Sequence, residues 1–425
     1  MTDDIEKQVA AYMLGSDFGD PQIKEQMAKE LRQRLIDAKK EGRPLRVYCG
    51  YDVTAPDLHL GHTITIRKLK QFQDFGHDVN FVIGTFTTLI GDPSDRDTAR
   101  SAAIEEKVKQ NAQSYAEQAF KILDKQKTRV RYNNDWLSKL TFKDVINMAS
   151  CFTVQQFLVR DRIQKRLESN DPIWLREFLY PLAQGYDAVE LKADVQLGAT
   201  EQLFNLMACR RLQEFYGQKP QICLTFPVLV GIDGADRMSK SRGNYIGIDE
   251  PPETIYGKTM SIPDNIMLQY YELLTDIDEA ELSNIKKQIV SGENPMSLKK
   301  RLAFDITKQY HGEEKAKEAE AHFEKTVQNK ELPDEIETKS ISFSQYTTTL
   351  VNSNKPKERV FGVGRLIADL SMVKSRSEAI RLIKQGGVSV NGNVIDFEFL
   401  PLPVKNGSII KIGKRRYVKI IDTDK

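Results

Sequence analysis

The chain has 425 residues, 40% of them apolar and 29% charged, the composition of a globular protein with buried cores and roughly three domains. No apolar run approaches the ~20 residues that span a bilayer. The polar start MTDDIEKQ does not fit a secretory signal, and the four cysteines (Cys49, Cys151, Cys209, Cys223) show neither a CxxC pair nor metal-ligand spacing. Reduced thiols, a cytoplasmic location, no membrane association and no metal site are therefore expected. The net charge of +2 hides an asymmetry: residues 359–425 hold thirteen Lys and Arg against six Asp and Glu. A basic tail on an acidic body points to a polyanionic partner, most simply nucleic acid.

The first half alternates strand and helix signals. LRVYCG (Leu45 to Gly50) reads as a short strand, and Ile66, Leu69 and Phe72 give helical spacing from His62 to Phe75, ending at Gly76. VNFVIG (Val79 to Gly84) is an apolar strand. A long helix from Ala103 to Lys125, a strand from Arg129 to Tyr132, further helices and the strand ICLTF (Ile222 to Phe226) follow. This order predicts an α/β domain over residues 1–244, a parallel sheet with helices on both faces. Beyond Asn244 the strands stop, and Pro263 to Asp278 and Ser297 to Lys325 read as helices, so a helical domain is expected over 245–330. Residues 331–357, which include the polar run NSNKPK, read as a linker. The last block, 358–425, is a small α+β domain. In it Ser375 and Glu378 form a capping box for the helix RSEAIRLIKQ, and Asn391-Gly392 sits between alternating apolar residues as a hairpin turn. A basic helix beside a small sheet suits recognition of RNA shape.

Two stretches carry chemistry. DLHLGH (Asp57 to His62) places two of only five histidines around Gly61 at the first strand-to-helix junction. Ligands bind beyond the carboxyl ends of strands in such sheets, and a helix start offers unpaired N–H groups and a positive dipole to phosphate. His59 and His62 can each donate to phosphate oxygens, and Gly61 lets a flat ligand lie against the backbone. The alternative role is that of histidines which merely cap or pack. GADRMSKSRGNY (Gly234 to Tyr245) follows the last strand and brings Arg237, Lys240 and Arg242 into a mobile-looking loop.

Together the two stretches resemble the HIGH and KMSKS signatures of class I aminoacyl-tRNA synthetases. The segments YCGYDVTAPDLHLGH, LIGDPS, YPLAQGYD, QLGATEQLFN and RMSKSRGNYIGI, in this order and spacing, resemble tyrosyl-tRNA synthetases of the bacterial type over essentially the whole chain. The resemblance implies a Rossmann-like catalytic domain (1–244), a helical anticodon-side domain (245–330) and a basic RNA-binding domain (358–425) shared with a ribosomal protein. It implies L-tyrosine, ATP with Mg2+, and tRNA(Tyr) as partners, and a homodimer. Carried over by position, Tyr48 and Asp187 would bind the phenol hydroxyl, Asp92, Tyr180 and Gln184 the α-ammonium group, and Gln202 would lie near the carboxylate. Asp52, Thr54, Gly61, Ala199, Glu201, Met238, Ser239 and Lys240 would fall on the ATP side. His59, His62, Thr54, Lys240 and Arg237 would serve activation, Arg96 and Arg100 a mobile cationic loop, and Arg365, Lys374, Arg376, Arg381 and Lys384 the RNA. Three departures stand out: GATEQ brings Ala199 and Glu201 where glycine and aspartate are usual, the signature loop begins with Arg237, and Asp95 replaces a glycine. Independently of the resemblance, Tyr180, Gln184 and Asp187 fall on one helix face, and buried groups of this kind are costly without a polar ligand.

Overall fold

The computed structural model describes residues 2–92, 105–291, 294–328, 336–350, 358–401, 404–413 and 416–424. Arg96, Arg100 and Asp95 lie outside them. The chain forms two compact units, Met1–Glu320 and Ala321–Lys425.

In the first unit five parallel strands, β1 (Arg46–Tyr51), β2 (Asp78–Ile83), β3 (Thr128–Tyr132), β4 (Val195–Ala199) and β5 (Ile222–Phe226), stand in the order β3-β2-β1-β4-β5. The strand β4 has no counterpart in the sequence reading. VQLGA is buried along almost its whole length, so it lacks the alternation that marks a half-exposed strand, and Gly198 weakens the signal further. Its place decides the architecture: the winding reverses between β1 and β4, which opens a crevice at their carboxyl ends. Alternation does hold in β1. Val47, Cys49 and Tyr51 enter the main core with the helix Leu60–Asp74, while Tyr48 points to the opposite face with Val82, Ala183 and Cys209.

The helical region after Asn244 is not a separate body. Ile255, Ile262, Met267, Tyr270, Leu302 and Ile306 share one continuous core with Ile66, Leu69 and Phe72, because the helix Met267–Leu274 packs on Leu60–Asp74. The two long helices expected there are also broken up. The first is a 3-10 turn (Asp264–Ile266) followed by Met267–Leu274, and the second divides into Pro295–His311 and Glu313–Phe323 at Gly312, whose φ is +85°.

The second unit contains β6 (Thr338–Ile341), β7 (Thr347–Leu350), β8 (Glu358–Gly362), β9 (Val388–Val390), β10 (Asn393–Val394), β11 (Phe399–Pro401), β12 (Ile409–Ile412) and β13 (Arg416–Asp422). They form two sheets, β10-β9-β12-β13-β6 and β11-β8-β7, around a core that includes Phe361, Leu366, Ile383 and Ile410. Two of these strands fall within 331–357, where a linker was expected. β6 pairs with β13 at the sheet edge and buries only Ile341, so its sequence carries almost no hydrophobic pattern. The hairpin turn is as read, with Asn391 and Gly392 both at positive φ (51° and 84°). Ser375 caps the helix Arg376–Lys384 by accepting the Glu378 N–H, but the Glu378 carboxylate takes the N–H of Lys374 rather than that of Ser375.

Candidate active site

Two adjoining cavities of about 240 and 880 Å³ occupy the crevice of the first unit. Thr54, Gly61, His62, Thr65, Tyr115, Ala199 and Glu201 line both.

The smaller cavity gathers Asp92, Tyr180, Gln184, Asp187 and Gln202, which the sequence reading gives to tyrosine, and also Asp52, which it put on the ATP side. Tyr180, Gln184 and Asp187 do share one face of the helix Leu175–Glu190. Asp187 is buried, and burial pushes its carboxyl up to about 7. Trp136 Nε1 donates to it at 2.7 Å and Asn133 Nδ2 at 3.2 Å. The same Asn133 amide donates to Thr87 Oγ1 (3.0 Å), which donates to Asp52 (2.7 Å), and Asp52 also accepts from the Tyr180 hydroxyl (3.0 Å). Gly84 makes this chain possible: a Cβ there would lie 2.3 Å from Asp52 Oδ1 and 2.4 Å from Thr87 Oγ1. Gln202 and Asn205 donate to Asp92. Tyr48 Oη and Gln184 Oε1 are buried with no ordinary hydrogen-bond partner among the described residues. Burial, then the neighbouring Cys209 and Asp187, hold the Tyr48 phenol well above its usual range. Asn133, Trp136 and Thr87 are absent from the sequence reading. The signal was present, since Asn133 and Trp136 directly follow β3 at the carboxyl edge where ligands bind.

The larger cavity holds His59, His62 and the loop with Arg237, Met238, Ser239 and Lys240. Both histidines do cap the helix Leu60–Asp74. His59 Nδ1 accepts the N–H of Gly61 at 3.1 Å, and His62 Nδ1 accepts the N–H of His59 at 3.2 Å. Capping does not compete with ligand binding. An Nδ1 that accepts carries no proton, so in the neutral ring the proton sits on Nε2, which is the nitrogen able to donate. Burial, with His62 and Lys240 adding to it, lowers His59 to about 2, which keeps that ring neutral. Gly61 has a role beyond admitting a ligand: a Cβ there would meet the His59 ring at 3.0 Å. The backbone of 58–60 is braced by Ile246 and Ile248, just past the basic loop, through Leu60 N–H to Ile246 O (3.0 Å) and Ile248 N–H to Leu58 O (3.2 Å).

That loop, mobile-looking in sequence, is tied at several points. Met238 is buried and its N–H bonds Leu229 O at 2.7 Å, and the Ser239 N–H bonds Asn244 Oδ1 at 2.8 Å. Lys240 pairs with Asp57, and Arg242 with Asp236. Arg237 pairs with Glu201 at 3.3 Å, so two departures from the usual family pattern meet each other, and Arg162 pairs with the same carboxylate at 2.8 Å.

Residues 39–328 match the family described as tRNA synthetases class I (W and Y), and residues 365–396 match the S4 domain. The chain belongs to the class I tRNA synthetases of this tryptophan and tyrosine family. It is 46% identical to the tyrosine–tRNA ligase of Geobacter sulfurreducens over 92% of this chain and 94% of that protein. To the tyrosine–tRNA ligase of Oleidesulfovibrio alaskensis it is 44% identical over 98% and 99%. The tyrosyl-tRNA synthetase of Archaeoglobus fulgidus, solved with L-tyrosine, shares the fold at a TM-score of 0.58, with 21% identity, covering 75% of this chain and all (100%) of that one.

In the synthetase's second unit, Arg365, Lys374, Arg376, Arg381 and Lys384 are all exposed. Arg365 lies over the Tyr346 ring (5.7 Å) and pairs with Asp369, Arg376 pairs with Glu398 at 3.0 Å, and Arg381 reaches Glu378 at 3.9 Å. Exposed pairs of this strength are readily exchanged for phosphate.

Proposed function

We infer that the chain joins L-tyrosine to tRNA(Tyr): ATP and tyrosine give tyrosyl-adenylate and pyrophosphate, and the tyrosyl group then passes to the 3′ end of the tRNA. The observation that carries this reading is a polar pocket around buried Asp187 that shares a wall with a cavity lined by two histidines and a basic loop. The smaller cavity takes tyrosine. Asp187 and Tyr48 receive the phenol hydroxyl, Asp92, Tyr180 and Gln184 hold the ammonium group, and Gln202 lies near the carboxylate. A phenol meets buried hydrogen-bonding groups there that an indole or a plain ring would leave unpaired.

The larger cavity takes ATP, with Thr54, Gly61, Ala199, Glu201, Met238 and Ser239 on its side, while Asp52 lines the smaller one. The Nε2–H groups of His59 and His62 donate to the phosphates and to the charge that grows on departing pyrophosphate. Arg237 and Lys240 exchange their protein carboxylates for phosphate oxygens. Such chemistry needs positioned donors and cations more than an acid or a base. Among the described residues no group of three His, Cys, Asp or Glu is placed to hold a metal, and the cavity's carboxylates Asp57 and Glu201 are ion-paired. Mg2+ therefore arrives with the nucleotide, coordinated mainly by phosphate and water.

The basic second unit supplies phosphate contacts to the tRNA. The first unit exposes Phe142, Ile146, Val154, Val159, Trp174 and Leu175 along successive helices, an apolar surface that supports a homodimer through the catalytic domain. No helix among the described residues is long and apolar enough to cross a membrane, and the place of action is the cytoplasm. The test is ATP–pyrophosphate exchange over a panel of amino acids, followed by tRNA charging. Tyrosine is expected to drive both. Exchange driven by tryptophan, or by no amino acid, would overturn the reading.

A further inference from the structure

We propose that Arg162 is a positioning residue for amino-acid activation: it fixes the Glu201 carboxylate so that Arg237 can leave it for the phosphates of ATP. The inference rests on reading the larger cavity as the nucleotide site.

Glu201 lines both cavities and so stands where the two substrates meet. Its two oxygens are divided: Arg162 Nη2 holds Oε2 at 2.8 Å, and Arg237 Nη1 holds Oε1 at 3.3 Å. The two guanidinium groups come from different elements. Arg162 sits on the helix Asp161–Glu168, which is anchored by buried Ile163 and by Arg166, whose guanidinium pairs through both nitrogens with Glu177. Glu177 belongs to the first turn of the helix carrying Tyr180, Gln184 and Asp187. Arg162 is thereby tied to the frame of the tyrosine pocket. Arg237 rides on the basic loop between β5 and Tyr245.

One carboxylate shared between two guanidinium groups cannot neutralise both of them. When phosphate arrives, Arg237 can turn to it, because Arg162 still neutralises and orients Glu201. Without Arg162, Glu201 and Arg237 form a neutral pair that holds the loop cation back. Glu201 itself then takes whatever direction the loop dictates.

The experiment is ATP–pyrophosphate exchange with the full chain, measuring kcat and the separate KM values for ATP and tyrosine. The variants are Arg162→Ala, Arg162→Lys, Arg162→Gln, Arg237→Ala, Glu201→Gln and the Arg162→Ala/Glu201→Gln double. A charge-assisted contact of this kind predicts a rise of about tenfold in KM for ATP, or an equal fall in kcat, in Arg162→Ala. KM for tyrosine stays within about twofold, Arg162→Lys recovers most of the loss, and the double variant recovers part of it because the carboxylate that detained Arg237 is gone. A merely structural arginine would move both KM values and would not be rescued by Glu201→Gln; that result overturns the inference. Arg162→Gln, which removes the charge but keeps a polar side chain, gives the reading if the alanine variant folds poorly. If ATP kinetics respond to Arg237→Ala but to no Arg162 variant, the inference fails alone. If they respond to neither, the nucleotide cavity itself is misassigned.

Discussion

His62 Nδ1 accepts the backbone N–H of His59 at 3.2 Å while His59 Nδ1 accepts that of Gly61, so each ring caps the helix start through one nitrogen and also lines the cavity. The two uses can be separated. Asparagine caps helices well and glutamine completes a capping box from the third position, but neither reaches as an imidazole does. His59→Asn and His62→Gln should therefore keep the thermal midpoint near wild type, whereas His59→Ala loses about 1 kcal/mol with its cap. All three should slow adenylate formation by roughly 10²–10³ while tyrosine binding holds, since a donor aimed at developing charge is worth about 3–4 kcal/mol. Single-turnover kinetics and thermal melts decide it. Normal activation rates in the two capping-competent variants would reduce these histidines to structural residues.

Tyrosine and phenylalanine differ by one oxygen, and the pocket must read it. Asp187 is held by Trp136 and Asn133, and Tyr48 Oη is buried without an ordinary partner among the described residues. Asp187→Ala should cost tyrosine activation about 1.5–3 kcal/mol, the worth of a hydrogen bond to a charged group, and Tyr48→Phe nearer 1 kcal/mol. Tyr48→Phe should also relax rejection of phenylalanine. The measurement is kcat/KM for both amino acids in each variant. An unchanged tyrosine-to-phenylalanine ratio in Tyr48→Phe would remove that residue from the hydroxyl's recognition.

The titration of Asp187 adds a pH signature. Burial raises its carboxyl to about 7 in the free protein, and only the ionised form is a pure acceptor for the phenol hydroxyl. KM for tyrosine should rise as pH falls from about 8 to 6, by at most about tenfold per unit below the pKa. For stability the sign is the reverse of an ion-paired aspartate: a raised carboxyl favours the fold at low pH and loses that contribution as pH climbs through 7. Asp187→Asn should flatten both dependences. A tyrosine KM that is constant over this range in the parent protein contradicts the role.

Much of this arrangement is legible in the residues themselves. The alternation of Val47, Tyr48 and Cys49 marks a strand, and DLHLGH marks its helix start, because local rules govern both. β4 escapes detection because a strand covered on both faces has no polar phase. Thr87 escapes because its importance lies in a hydrogen-bond chain through residues far apart in sequence, whereas Asn133 and Trp136 carry a signal in their place just after β3. The pairing of Arg237 with Glu201 is of the same kind: each stands out alone, and only the fold shows that they meet.

The division of the chain moves the informative truncation point. Strands β6 and β7 belong to the second unit, so ending the chain within 331–357 would remove β13 and β8 and leave β6 or β7 without its partner. Ending it after Gln328 keeps the helix Glu313–Phe323 whole. That truncated protein should retain pyrophosphate exchange within about twofold, since its core is its own. It should lose most tRNA charging, and the full chain's charging should fall steeply with salt as phosphate contacts are screened. Normal charging by the truncated chain would make the second unit a stability element.

Asp194 lies at the opposite end of the sheet from the crevice, just before β4, and is 2% exposed. It pairs with Arg34 (3.1 Å), Arg43 (2.8 Å) and Arg46 (3.2 Å), and accepts the Arg46 backbone N–H at 2.9 Å, joining the helix Pro21–Lys40 to β1. Burial works against its charge, but the hydrogen bonds from Arg43 and Arg46 hold the carboxyl at about 2, down from 3.8. A lowered carboxyl stabilises the fold above its unfolded pKa and loses that contribution as pH falls through the folded one. The loss should therefore fall between about pH 4 and 2 and amount to about 2 kcal/mol. Asp194→Asn removes that acid limb and, at neutral pH, leaves the buried Arg34 without its counter-ion, at a cost of about 3–5 kcal/mol. KM values for ATP and tyrosine should not change, because the residue faces the far edge. Denaturant melts of parent and variant across this acid range are the check, and an Asn variant as stable as the parent at pH 7 would show that the three arginines do not depend on this carboxylate.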